Sequence, residues 1–213
     1  MTWKADVVAQ VEAWARERLD ARAMIAHGWL HVDRVRHSAV EIARQEGVDP
    51  WLAELAALLH DVGRTTPGPG TEHGARSAEM AAPLLIDLGL DEDAREAVLQ
   101  AVHWHNSART DTPLLCVLRD ADMLDALGAI GLVRACMSKH MLMPYDPQSL
   151  GADEPNWPPV TVLDQVRSQI RWFEGMNTET GRKLAQQRWE FMQAFLTQIR
   201  RVVLGGRDCD EGV

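Results

Sequence analysis

The 213-residue chain has three cysteines, Cys116, Cys136 and Cys209, and no two of them stand in a CxxC spacing. That excludes a disulfide framework and a cysteine-paired metal or redox motif. No uninterrupted apolar run approaches the roughly 20 residues that a membrane helix needs. Residues 1–20 are broken by Lys4, Asp6, Glu12, Arg16 and Glu17, so they read as neither signal peptide nor anchor. The expected setting is the cytoplasm, with no membrane partner. Positive charge is also short: 22 Lys and Arg stand against 31 Asp and Glu, a formal net charge of −9. Such a balance argues against a broad nucleic-acid footprint, and Arg200-Arg201 is too short to make one. Alternating β patterns are scarce and no internal repeat is visible. Gly68-Pro69-Gly70 is not a phosphate cradle, because a P-loop needs its Lys-Ser/Thr and a preceding strand.

What remains is ordinary globular composition, 46% hydrophobic and 25% charged, dominated by helical periodicity. Val7, Val8, Val11, Ala15 and Leu19 mark an opening amphipathic helix. A second helix is expected over about 31–46, with Val32, Val35, Ala39 and Ile42 inward and Gly47 as its stop. Asp49-Pro50 opens a third through Leu59, ending near residues 61–63. Residues 65–71 (TTPGPGT) read as a loop. A helix over about 75–88 follows, then Asp91 as N-cap of another carrying Ala94, Ala97, Val98, Ala101 and Val102. Pro113 suits the first turn of the next helix, running towards Leu127. Five prolines fall within residues 144–159, which predict a long loop or lid. Helices over about 162–173 and 180–203 complete the chain, and 205–213 reads as a frayed tail. The expected architecture is all-α and a single domain over 1–204: a core at about 20–130, the lid, C-terminal helices at about 160–204, and then the tail.

The sharpest local feature is His60-Asp61, which closes the apolar run LAELAALL and precedes Gly63. An aspartate beside such a run is costly unless its charge is compensated. At a helix end, two adjacent side chains can straddle one divalent ion. Helical phase sorts the other polar residues. His31 joins the inward face of Val35. His105 continues the face of Val98 and Val102. Asp122 shares the stripe of Leu114 and Leu118. His103, His37 and Asp120 fall off these stripes and read as surface groups, with hydrogen bonding to a ligand imidazole as the alternative for Asp120. Five inward polar groups, His31, His60, Asp61, His105 and Asp122, are hard to explain by packing alone. The plainer readings are a buried salt link for His31 and Asp122, a satisfied core histidine for His105, loop capping for His73, and pairing with Asp61 or a nearby Glu for Arg64.

The order His31, His60-Asp61, Asp122 resembles the HD-domain superfamily of metal-dependent phosphohydrolases. The segments LAALLHDVGR, HGARSAE, AVHWHN, RDADMLDALGAIG and MNTETGRKLAQQRWEFMQAFL resemble one bacterial branch of it, over about residues 20–200. That branch includes deoxynucleoside triphosphate pyrophosphohydrolases. The resemblance implies an HD-type helical bundle with additional C-terminal helices. It also implies that His31, His60, Asp61 and Asp122 ligate one divalent metal, Mn first, with Ni, Co, Fe or Mg as alternatives. Two-metal members add further histidines, often adjacent; His73 and the non-adjacent His103 and His105 depart from that pattern, so one metal is expected.

The implied reaction is hydrolysis of (deoxy)nucleoside triphosphates to monophosphate and pyrophosphate by a metal-activated water. Asp61 would serve as ligand and orienting base, and Arg64 would grip a phosphate oxygen. His73 and His105 would contact phosphate or protonate the leaving group. Lys139 or His140 would add positive charge from the segment before the lid, and Tyr145 or Trp157 in the lid could stack on a base. The alternatives are a nucleoside 5′-monophosphate phosphatase, a non-catalytic nucleotide-binding regulator, and a helical scaffold. The partner expected is a small nucleotide, with no nucleic acid. The Trp- and Phe-rich C-terminal helices leave room for a homodimer.

Overall fold

The structure, a computed structural model, describes residues 2–19, 26–150 and 154–205. It is all-α: nine α-helices and no β-strand occur among the described residues, whose only β-type pairing is an isolated bridge between Met143 and Thr161. No described helix is long and apolar enough to cross a membrane. The chain divides into two compact units, Met1–Asp122 with Met176–Arg182, and Met123–Gly175 with Lys183–Val213.

The first unit is built round its most apolar element. Helix α1 (Trp3–Leu19) buries Val7, Val11, Ala15 and Leu19, and helix α2 (Trp29–Glu46) buries Val32, Val35, Ala39 and Ile42. Gly47 ends α2 with φ +72, a left-handed cap that glycine adopts without a Cβ penalty. Helix α3 (Pro50–Leu59) begins with the Asp49 carboxylate accepting from the Trp51 amide at 2.8 Å. Its Leu55, Leu58 and Leu59 are wholly buried, each contributing on the order of 1.5–3 kcal/mol. Packed against α1, α2 and helix α5 (Glu92–Trp104), α3 runs through the centre of the unit, so whatever stands at its end is buried too. The cap of α5 is Asp91, which accepts from the Ala94 amide at 2.8 Å, as expected.

Between α3 and α5 the chain is more ordered than the Pro/Gly run suggests. Val62–Thr65 and Gly70–Glu72 form short 3-10 turns, leaving 66–69 as loop. Helix α4 (His73–Asp87) starts two residues earlier than the phase predicts and accommodates Pro83. A Cβ on Gly63 would run into the His73 carbonyl and the Ser77 amide, so this glycine is what lets the first 3-10 turn lie against α4. Ser77 Oγ donates to the His60 carbonyl at 2.6 Å and accepts from the Gly63 amide at 2.8 Å. Helix α6 (Pro113–Asp125) begins at Pro113 as expected and stops two residues short of Leu127.

In the second unit, helix α7 (Gly128–Ser138) occupies a stretch that periodicity left unassigned. Helix α8 (Val162–Ile170) opens with a capping box between Thr161 and Asp164, and a 3-10 turn, Arg171–Phe173, completes the helix expected there. Helix α9 (Glu179–Leu204) passes from the first unit into the second. The predicted lid lacks regular helix in its described part, and its residues 151–153 lie outside the described residues, as do 206–213 of the expected tail.

Candidate metal centre

Three chain segments of the first unit bring their polar groups to the end of α3. His60 is the C-cap of that helix, with φ −57 and ψ −37, and Asp61 turns the backbone out of it at φ −105 and ψ 3. The break lets two consecutive side chains face the same space. α2 supplies His31, the end of α5 supplies His105, and α6 supplies Asp122. His31 Nε2 lies 3.3 Å from His60 Nε2, 3.5 Å from Asp61 Oδ2 and 3.4 Å from Asp122 Oδ1; His60 Nε2 lies 3.7 Å from Asp61 Oδ2. The four residues implied as ligands therefore meet. On the other side of the same carboxylate, Asp61 Oδ1 accepts from Arg64 Nε at 2.7 Å and faces His73 Nε2 at 3.1 Å and His105 Nε2 at 3.9 Å. Arg64 thus pairs with Asp61 and also reaches His73 Nε2, with Nη2 at 3.0 Å.

The protonation pattern decides what this cluster can hold. His60 Nδ1 donates to the Ala57 carbonyl at 2.7 Å, and His105 Nδ1 to the Val102 carbonyl at 2.7 Å. With the proton fixed on Nδ1, each neutral ring turns a bare lone pair inward from Nε2. Burial pushes both imidazoles below their ordinary range, His105 to about 3, so neither carries a second proton at neutral pH. Asp61 and Asp122 lie below the usual carboxylate range: burial opposes their ionisation, and it is outweighed at Asp61 by the charge of His60 and by hydrogen bonds from His27, His31 and His73, and at Asp122 chiefly by the hydrogen bond from His31. The Nε2 lone pair of His60 then confronts Asp61 Oδ2 at 3.7 Å, and that of His105 confronts Asp61 Oδ1 at 3.9 Å. A cation is the species that removes this repulsion. Adjacent donors on a six-coordinate divalent ion, bonded at about 2.0–2.2 Å, stand about 3 Å apart, so the residues fit such an ion with modest closure.

Helical phase is right for His31, His60, Asp61 and His105, which are all buried, and for the inward direction of Asp122, whose side chain keeps 31% exposure. His73 turns Nε2 into the cluster, while its Nδ1 caps the loop on the Gly70 carbonyl. Asp120 corrects the surface reading. It is fully buried and accepts from the amide and Nδ2 of Asn177 and from the amide and Oγ1 of Thr178, at 2.7–2.8 Å. Residues 120 and 122 point about 200° apart on a helix, so the two carboxylates serve opposite faces of α6. Lys139, His140 and Tyr145 belong to the second unit, at and just beyond the end of α7. The sequence reading passes over His27, whose Nδ1 lies 2.8 Å from Asp61 Oδ2. It stands outside any helix, and only its place four residues before His31 marks it.

Comparison with known proteins bears on the same stretch. Residues 28–127 match the HD domain. Within that match fall His31, His60, Asp61, Arg64, His73, His105 and Asp122. The HD-matching chain is 27% identical over 203 residues to YpgQ, an uncharacterized protein of Bacillus subtilis, covering 92% of this chain and 93% of that one. A crystal structure of YpgQ in complex with ADP superposes with a TM-score of 0.74, covering 94% of this chain and 97% of that chain. An HD-superfamily hydrolase from Bacillus thuringiensis gives 0.74 at 26% identity, covering 93% and 97%. A predicted HD superfamily hydrolase from an uncultured Thermotogales bacterium gives 0.66 at 28% identity, covering 90% of each.

Proposed function

We propose that the chain is a metal-dependent phosphohydrolase of nucleotides that cleaves (deoxy)nucleoside triphosphates to monophosphate and pyrophosphate. The observation that carries the reading is the convergence of inward imidazole lone pairs and two ionised carboxylates on one point, a donor set that calls for a divalent cation. The ADP bound by a YpgQ crystal structure supports a nucleotide carrying a phosphate chain as the ligand class.

His31, His60, Asp61 and Asp122 would hold the ion; the family resemblance puts Mn first, with Ni, Co, Fe or Mg as alternatives that N/O ligands do not separate. A divalent ion there supplies Lewis acidity and a water of lowered pKa. The chain's own groups do the rest. Asp61 Oδ1 offers an acceptor that orients the attacking water. Arg64 provides a fixed positive charge beside that carboxylate for an equatorial phosphate oxygen. His73, with Nε2 3.1 Å from Asp61 Oδ1 and 3.0 Å from His105 Nε2, takes the proton that water loses and passes it on to the departing pyrophosphate. Water adds at the α-phosphorus, and the bond to the oxygen bridging the α- and β-phosphorus breaks.

A Mn-supplemented panel of nucleoside mono-, di- and triphosphates, with products identified, tests this. Pyrophosphate from triphosphates is the expected result. Inorganic phosphate from monophosphates would replace the reading with a monophosphatase, and tight nucleotide binding without turnover would replace it with a regulator.

A further inference from the structure

His27 lies in the turn at residues 26–28, just before α2, and its side chain is 38% exposed, whereas those of His31, His60, His73 and His105 are at most 4% exposed. Its ring meets that of His31 edge-on, with centroids 5.5 Å apart. Which oxygen of Asp61 it addresses is informative. Oδ1 is engaged by Arg64 and His73. Oδ2 is the oxygen turned towards His31 and His60, and it is Oδ2 that His27 Nδ1 approaches at 2.8 Å. A group that only steers a ligating carboxylate can do so from the oxygen turned away from the ion. His27 instead joins the oxygen that faces the other donors. His27, His31 and Asp61 each place a ligand atom within 4.8 Å of the other two.

We propose that His27 Nδ1 is a fifth protein ligand to the divalent ion, seated at the exposed edge of the cluster so that a phosphate oxygen can replace it. This rests on the metal-dependent reading of the site. Metal binding displaces the proton that His27 Nδ1 shares with Asp61 Oδ2, leaving the ring neutral with its hydrogen on Nε2; the later exchange swaps one lone pair for another, an imidazole nitrogen leaving as an anionic oxygen arrives, with no change in oxidation state. The position suits it: a residue in a turn can swing aside without disturbing a helix, whereas His31, His60 and His105 are held by theirs.

Cobalt(II) loaded into the metal-free protein provides the test, because its absorption reports its ligands directly. In His27→Cys the expected result is a thiolate-to-cobalt charge-transfer band, and in the unaltered protein a change in the visible ligand-field bands when pyrophosphate is added. His27→Gln should weaken Co(II) binding about tenfold in chelator competition and lose that pyrophosphate response. A merely steering histidine would also weaken binding, so the bands decide. Co(II)-loaded His27→Cys without a thiolate band, or His27→Gln with unaltered spectra, overturns the proposal while leaving the metal-dependent reading intact. Failure of the unaltered protein to bind Co(II) or Mn(II) would overturn that reading, and the fifth ligand with it.

Discussion

Asp61 and Asp120 are both buried carboxylates of the first unit, and only their partners tell them apart. Asp120 is saturated by hydrogen: two amides, one side-chain amide and one hydroxyl point their protons at it. It needs nothing more, and what it does is fix residues 177 and 178 at the start of α9 against α6. Asp61 is surrounded by Arg64 and by imidazole nitrogens, of which His60 and His105 have their protons engaged elsewhere. Burial alone therefore does not mark a functional acid. The protonation state of its neighbours does, because lone pairs aimed at an anion mark a place that suits a cation.

The contrast can be broken or sharpened by experiment. Asp61→Ala should abolish Mn binding and lower metal-dependent turnover about a thousandfold or more, the order of effect expected when several kcal/mol of Lewis-acid stabilisation is lost. Helicity by circular dichroism should stay near that of the unaltered protein. Asp120→Ala should do the reverse. Leaving its donors unpartnered costs on the order of 3 kcal/mol, read as a lower denaturant midpoint at constant slope, with Mn affinity unchanged. A large drop in Mn affinity in that variant would erase the distinction.

A smaller effect belongs to acidity. His60 and His105 are pushed down on folding, so the unfolded chain takes up their protons first. Their contribution is whole above the ordinary imidazole pKa of about 6.5 and is lost as pH falls below it, for His105 down towards about 3. Asp61 and Asp122, held low, add stability above about pH 4 that is lost on further acidification. The metal-free protein should therefore lose a few degrees of melting temperature between pH 7 and 5.5. Excess Mn should oppose the loss, since ions and protons compete for the same imidazoles. The smallest expected change is Asp49→Ala, which removes the cap of α3 at a cost of about 1 kcal/mol and leaves metal binding untouched.

Most of the site was legible because it lies at the end of a core helix. Where a histidine or aspartate shares the phase of buried Val and Leu, the 3.6-residue period exposes it, as with His31, His105 and Asp122. The same method fails for Asp120, because the segment that buries it is 57 residues away and leaves no local period. It fails for His27, which stands in a turn. Helix α7 escapes for a different reason: Gly128 and Gly131, poor helix formers, sit in its first turn. The HD match spans residues 28–127, and the ordered His/Asp set that carried the resemblance lies inside it.

One hydroxyl gives the centre an unexpected rigidity. Because the side chain of Ser77 grips both the amide of Gly63 and the carbonyl of His60, the corner that carries two of the donors and the helix that begins with His73 are yoked into one lever. The Gly63 amide should accordingly rank among the slowest in the protein to exchange its hydrogen for deuterium, and any ligand that tilts α4 would be felt at Asp61 without passing through solvent.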